Sequence, residues 1–162
     1  LTKYISPFEK IFGTFGDSQI ENKKTFCMYG DIAMDTLLYN SLSSLSKSLD
    51  MELFPTYSFG RIYSQGDELH KHKDRPSCEI SGTLNLGGDP WSIFLKDTNK
   101  KNVEITLNPG DILMYKGEDL EHWRKPFLGK ICAQVFLHYT TNKKNIYDGR
   151  PMLGLPPYFK SK

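Results

Sequence analysis

Lys130-Ile131-Cys132-Ala133-Gln134-Val135-Phe136-Leu137-His138-Tyr139 is the stretch on which the fold turns. Ile131, Ala133, Val135 and Leu137 alternate with Cys132, Gln134, Phe136 and His138, the period-two pattern of a strand covered on both faces. The first set is aliphatic and suits a packed layer. The second is mixed, and it predicts the wall of a cavity, with Lys130 on the same face at the strand's opening.

Working back from this strand, similar short segments recur. Tyr57, Phe59, Arg61 and Tyr63 alternate with Thr56, Ser58, Gly60 and Ile62. Residues 79–86 alternate again, and 91–95, 103–107 and 112–115 read as further strands. Gly87-Gly88-Asp89-Pro90 and Asn108-Pro109-Gly110 read as turns, and 97–102 as a polar loop. Short strands at regular spacing predict a β sandwich or barrel. Before them, residues 31–50 predict one helix. Asp31 is its N-cap, and Leu38, Leu42, Leu45 and Leu49 form one apolar stripe that buttresses a sheet. Residues 1–30 predict irregular structure with short strands, and 141–162 a surface arm. The chain therefore reads as a single domain over 1–162: flank and helix to residue 50, β core over about 56–140, then the arm.

Inside this frame lies His72-Lys73-Asp74. An imidazole and a carboxylate two residues apart share one side of an extended chain. They can grip one edge of a metal ion, and a third ligand must then come from far away. His122 is the natural candidate. Two histidines and one carboxylate with open positions form the facial triad of non-haem Fe(II) oxygenases. On spacing alone, a solvated Lys- and Asp-rich turn competes with this reading. His70 and His138 are not expected as ligands, and Arg75 and Glu79 read as a solvated ion pair, with Arg75 reaching substrate as the alternative.

Composition narrows the class. The chain has 162 residues, 38% hydrophobic and 13% aromatic, with a net charge of +2. That balance gives no electrostatic case for a nucleic-acid partner. Cys27, Cys78 and Cys132 are odd in number and widely spaced, so neither a zinc knuckle nor a disulfide framework is expected. No apolar run reaches membrane-span length and no signal-peptide pattern opens the chain, so a cytoplasmic location is the expectation.

The order helix, strand with Tyr63, His72-x-Asp74, several strands, His122 and a strand opening on a basic residue resembles the 2-oxoglutarate- and Fe(II)-dependent oxygenases. The likeness is greatest to the prolyl-4-hydroxylase-like branch and its small bacterial and phage members. Pro109-Gly110-Asp111-Ile112-Leu113-Met114-Tyr115 and His122-Trp123-Arg124-Lys125-Pro126-Phe127 strengthen the resemblance, which spans roughly residues 31–140.

The resemblance implies a double-stranded β-helix, or jelly roll, with flanking helices. It implies Fe(II) held by His72, Asp74 and His122 (Mn, Co, Ni or Zn when iron is absent). It also implies 2-oxoglutarate and O2 as cosubstrates, ascorbate as an optional reductant, and succinate and CO2 as products. The cosubstrate's distal carboxylate needs a cation. Lys130 aligns best, although it lies only eight residues after His122 where nine or ten is usual, and that keeps Arg124 as an alternative. Tyr63 and Thr83 would add hydroxyl donors, while Tyr115, Gln134 and Phe136 would line the pocket. The implied substrate is a peptidyl side chain, proline first, on a polypeptide clasped by residues 64–71 and 141–162. A small molecule or nucleobase, or a non-redox cupin-like binding protein, remains open at this point, as does the oligomeric state.

Overall fold

The computed structural model describes residues 14–15, 19–20 and 25–145. In chain order these form β1 (Thr14–Phe15), β2 (Phe26–Tyr29), α1 (Ile32–Leu49), β3 (Phe54–Ser64) and β4 (Leu69–His72). A 3-10 turn at Pro76–Cys78 leads into β5 (Ile80–Gly88), β6 (Ile93–Lys96), β7 (Asn102–Ile105), β8 (Ile112–Lys116), β9 (His122–Arg124) and β10 (Ile131–Thr140). Among the described residues the strands make two antiparallel sheets. One has six strands in the order β1-β2-β3-β10-β5-β8, the other four in the order β4-β9-β6-β7. The inner faces meet where Tyr115 of β8 stands edge-on to His122 of β9, 4.9 Å between ring centroids.

Helix α1 forms where its capping chemistry requires. The Asp31 carboxylate accepts from the amides of Ala33 and Met34 at 2.9 and 3.2 Å, meeting two donors that a helix start leaves without partners. Its leucine stripe packs with Leu53, Ile80, Val135, Leu137 and Tyr139 on the outer face of the larger sheet. Tyr139 adds a hydrogen bond to the Leu38 carbonyl at 2.9 Å. Gly60 sits under the helix because a Cβ there would lie 2.6 Å from the Met34 sulfur. On the same face Ser58 donates to the buried Asp35 carboxylate.

The central pair of the larger sheet is β3 with β10, in the register Tyr63–Cys132, Arg61–Gln134, Phe59–Phe136 and Tyr57–His138. Phe59, Phe136, Tyr57, Tyr63 and Cys132 share one core cluster inside the roll, while Val135 and Leu137 join the helix side. Both alternations expected from the sequence therefore hold. On the smaller sheet's outer face, Phe94 and Trp123 stack at 5.7 Å. Lys125 and Lys71 lie over those two rings, each 4.5 Å from its centroid, with their stems covering apolar surface.

Several expectations change. Gly87 and Gly88 do not form a turn. With φ of +135° and +99° they let β5 bend and keep pairing with Ala133 and Cys132. The next strand starts at Ile93 and not Trp91, because the Trp91 indole turns inward against Tyr63 and donates to the Lys125 carbonyl at 2.8 Å. Residues 64–71 are not a free loop. Asp67 accepts from the Ser64 amide at 2.8 Å and from the Thr25 hydroxyl, and β4 follows at once. Of the arm, 141–145 is described, ending in a short 3-10 turn, and 146–162 lies outside the described residues.

Candidate metal and cosubstrate site

Strand β4 pairs with β9 so that His72 lies opposite His122 and Leu69 opposite Arg124. That register sets the two imidazoles side by side, 4.2 Å between centroids. Asp74 follows two residues on, its amide donating to the Gly117 carbonyl at 2.8 Å. The carboxylate thereby turns its Oδ1 to both rings, 3.7 Å from Nε2 of His72 and 3.7 Å from Nε2 of His122. The three ligand-type atoms all lie within 4.8 Å of one another.

The hydrogen bonds fix the histidine tautomers. His72 Nδ1 lies 2.8 Å from the His70 carbonyl and His122 Nδ1 2.9 Å from the Leu120 carbonyl. A carbonyl only accepts, so each Nδ1 carries the proton and each Nε2 presents a lone pair toward Asp74. Burial outweighs the pull of Asp74 and holds His122 below the usual histidine range. A neutral imidazole is the form a metal requires. His70 points elsewhere, 81% exposed and 3.7 Å from Glu68.

A cavity of about 220 Å³ opens beside the three residues. Its walls include Tyr57, Phe59, Arg61, Tyr63, Tyr115 and Phe136. Tyr115 and Phe136 were expected there; Gln134 instead spends its amide on Asn85 and Cys132. His138, on the face expected to wall a cavity, lines it, 6% exposed. Arg61, whose guanidinium lies over the Phe59 and Tyr63 rings, was missed as a wall residue. Its alternation with Tyr57, Phe59 and Tyr63 was the available signal. Arg75 and Glu79 do not behave as a pair. Arg75 reaches the Tyr57 hydroxyl at 3.3 Å, and Glu79 is taken by Thr140 and Thr141.

The basic residues separate clearly. Lys130 is exposed and precedes β10, and its amide donates to Asp89 at 2.6 Å. The expectation that it turns inward is corrected: the strand begins one residue later, so its alternation does not govern Lys130. Arg124 is 1% exposed. Its Nη1 donates to the Trp91 carbonyl at 2.5 Å and its guanidinium lies 5.0 Å above the Trp91 ring. Its Nε and Nη2 are buried without a hydrogen-bond partner. Burial lowers its pKa, and the neighbouring Tyr63, Cys132 and Tyr115 act the other way; a guanidinium stays charged regardless. Thr83 is fully buried with its hydroxyl beside the Tyr115 phenol, and burial pushes that phenol up, so it is a neutral donor.

No family model and no curated protein matches the sequence. Solved structures do match it. An oxidoreductase of the 2OG-Fe(II) oxygenase family from Burkholderia pseudomallei superposes with a TM-score of 0.63 at 10% identity, over 73% of this chain and 68% of that one. A Pseudomonas putida prolyl-4-hydroxylase gives 0.61 at 14% identity, over 73% and 72%. HygX from Streptomyces hygroscopicus, solved with nickel and 2-oxoglutarate, gives 0.62 at 11% identity, over 79% and 73%. The chain is a double-stranded β-helix. At such identities the likeness is one of fold, and what this β-helix does must be argued from its own residues. Two neutral imidazoles and a carboxylate suit a first-row divalent metal. The Nε–Nη2 edge of Arg124 suits a carboxylate taken through two parallel hydrogen bonds.

Proposed function

We propose that this β-helix is an Fe(II)- and 2-oxoglutarate-dependent dioxygenase acting on a side chain of a polypeptide, with proline the leading candidate. The observation that carries the reading is Arg124. A buried cation is costly without an anion, and this one keeps a two-donor edge without a protein hydrogen-bond partner, two residues after His122 on β9. A cosubstrate with a carboxylate at its far end answers that need.

His72 and His122 would hold the metal through Nε2 and Asp74 through Oδ1. When bound, Fe(II) supplies the redox chemistry that couples decarboxylation of 2-oxoglutarate to succinate and CO2 with oxidation of a substrate C–H bond by O2. Arg124 would bind the distal carboxylate, with Thr83, Tyr63 and Tyr115 as hydroxyl donors; Lys130 has no part in this reading. The roll's aromatic lining would exclude water from the reacting centre. Tyr29, Tyr57, Phe59 and Phe136 give the cavity an aromatic wall, the surface on which prolyl segments dock elsewhere. The same fold in HygX has been solved with hygromycin B bound, so peptides and small molecules must both be offered.

The test is succinate release from 2-oxoglutarate under air with limiting Fe(II), with and without proline-containing peptides. Wild-type protein should turn over, peptides should stimulate and gain one oxygen by mass, and Asp74→Ala should abolish turnover. No succinate from the iron-loaded wild type would overturn the oxygenase reading. Stimulation by small molecules with none by peptides would overturn the polypeptide substrate alone.

A further inference from the structure

Next to His72, Asp74 and His122 lies a second group of ligand-type side chains. Asp74, Cys78 and His138 also bring their donor atoms within 4.8 Å of one another. The space between them holds the Ser81 hydroxyl. Ser81 Oγ lies 2.7 Å from Asp74 Oδ2, 3.1 Å from His138 Nδ1 and 3.2 Å from the Cys78 carbonyl. This second group is therefore a hydrogen-bonded hub.

Its polarity follows from counting protons. Ser81 has one hydrogen to give, and the Asp74 carboxylate is its strongest acceptor. His138 Nδ1 must then donate to Ser81 Oγ, since two lone pairs would otherwise face each other. The chain of donors runs His138 to Ser81 to Asp74 Oδ2. Asp74 is held from the other side by its amide bond to the Gly117 carbonyl. Gly117 leaves room for the arrangement, because a Cβ there would lie 2.5 Å from Ser81 Oγ and would also strike Asp74 Oδ2. The two carboxylate oxygens thus have separate duties: Oδ2 is engaged by Ser81, and Oδ1 alone faces the histidines.

The geometry points to Ser81 and His138 as positioning residues that hold Asp74 to one-oxygen ligation. This rests on the reading of His72, Asp74 and His122 as the metal site. With Oδ2 withdrawn, Asp74 would leave a bound metal the open positions that a chelating cosubstrate and O2 need. Outer partners of this kind fix ligand orientation and tune metal affinity.

Cobalt titration of the metal-free full chain, followed by visible absorption, tests this apart from turnover. Ser81→Ala should weaken Co(II) binding by about 10–100-fold, with an altered spectrum as Asp74 turns to ligate through both oxygens. Thermal unfolding of the metal-free variant should remain a single cooperative transition, at a lower temperature than wild type because a buried hydrogen-bonding hydroxyl is gone. His138→Ala should lose affinity in the same direction, and His138→Asn, which keeps an N–H near the Nδ1 position, should restore it. Wild-type affinity and spectrum in both Ser81→Ala and His138→Ala would overturn the proposal while the triad stands. A loss with Ser81→Ala but none with His138→Ala would overturn the histidine's part. If Asp74→Ala binds cobalt as tightly as wild type, the triad itself fails, and this proposal with it.

Discussion

Arg124 is the side chain whose removal says most. Its guanidinium sits in the roll with one hydrogen bond to Trp91 and an unpaired Nε–Nη2 edge. Losing one partner of a buried charged pair costs about 2–5 kcal/mol. Arg124→Ala should therefore raise the half-saturating 2-oxoglutarate concentration by more than tenfold with iron saturating. Arg124→Lys should fall between, because an ammonium lacks the fork. Lys130→Ala should titrate like wild type, and a larger shift from Lys130→Ala than from Arg124→Ala would return the anchor to Lys130. The sequence made the His72, Asp74 and His122 cluster legible, because period-two spacing needs only an extended chain. It could not rank the cations. Arg124 faces inward through the pairing of β9 with β4, a long-range register, and Lys130 escapes the alternation of β10 by a single residue. Ser81 and His138 were hidden for the same reason, their meeting with Asp74 being a matter of tertiary packing.

Among the elements, the joint between β5 and β10 is where charge supports the fold. Glu79, entering β5, accepts from the Thr140 hydroxyl at 2.8 Å, and from the Thr141 amide and hydroxyl at 2.8 and 2.6 Å. Partial burial of the carboxyl pushes its pKa up, but these hydrogen bonds and the Lys116 charge outweigh it, so the net shift is downward. A carboxylate with a depressed folded pKa contributes stability above its unfolded value, about 4.3, and loses it as pH falls through the folded pKa. Glu79→Gln should cost about 0.5–1.5 kcal/mol at pH 7, the scale of an ordinary hydrogen bond, because solvent screens this carboxylate. That difference should shrink toward zero below the ordinary glutamate range. Urea midpoints at pH 7 and pH 3 check it, and an equal deficit at both would remove the ionic contribution. Long elements such as α1, β3 and β10 were readable because many residues repeat one pattern. The short β4 and β9 were not, since their inward positions carry His72, His122 and Arg124 in place of aliphatic residues.

At the scale of the molecule, the proposed ligands come from two sheets. His72 and His122 belong to the four-stranded sheet, and Asp74 is tied by Gly117 and Ser81 to the end of the β5–β8 pair in the six-stranded one. A bound metal would brace the two together. Chelation should thus speed amide hydrogen exchange in β4 and β9 while β3 and β10 keep their protection, and lower the melting temperature. Uniform exchange with and without metal would argue against the brace. Strand β4 has a further exposure. It ends its sheet, paired among the described residues with β9 alone, and an edge of unpaired backbone groups is a template on which another chain can assemble. The exposed His70, Lys71 and Lys73 around His72 give that edge charge and bulk. The polar run that looks in sequence like an ordinary solvated turn thereby has a colloidal duty. Charge along an exposed sheet edge works against its capture by a neighbouring strand in a crowded solution.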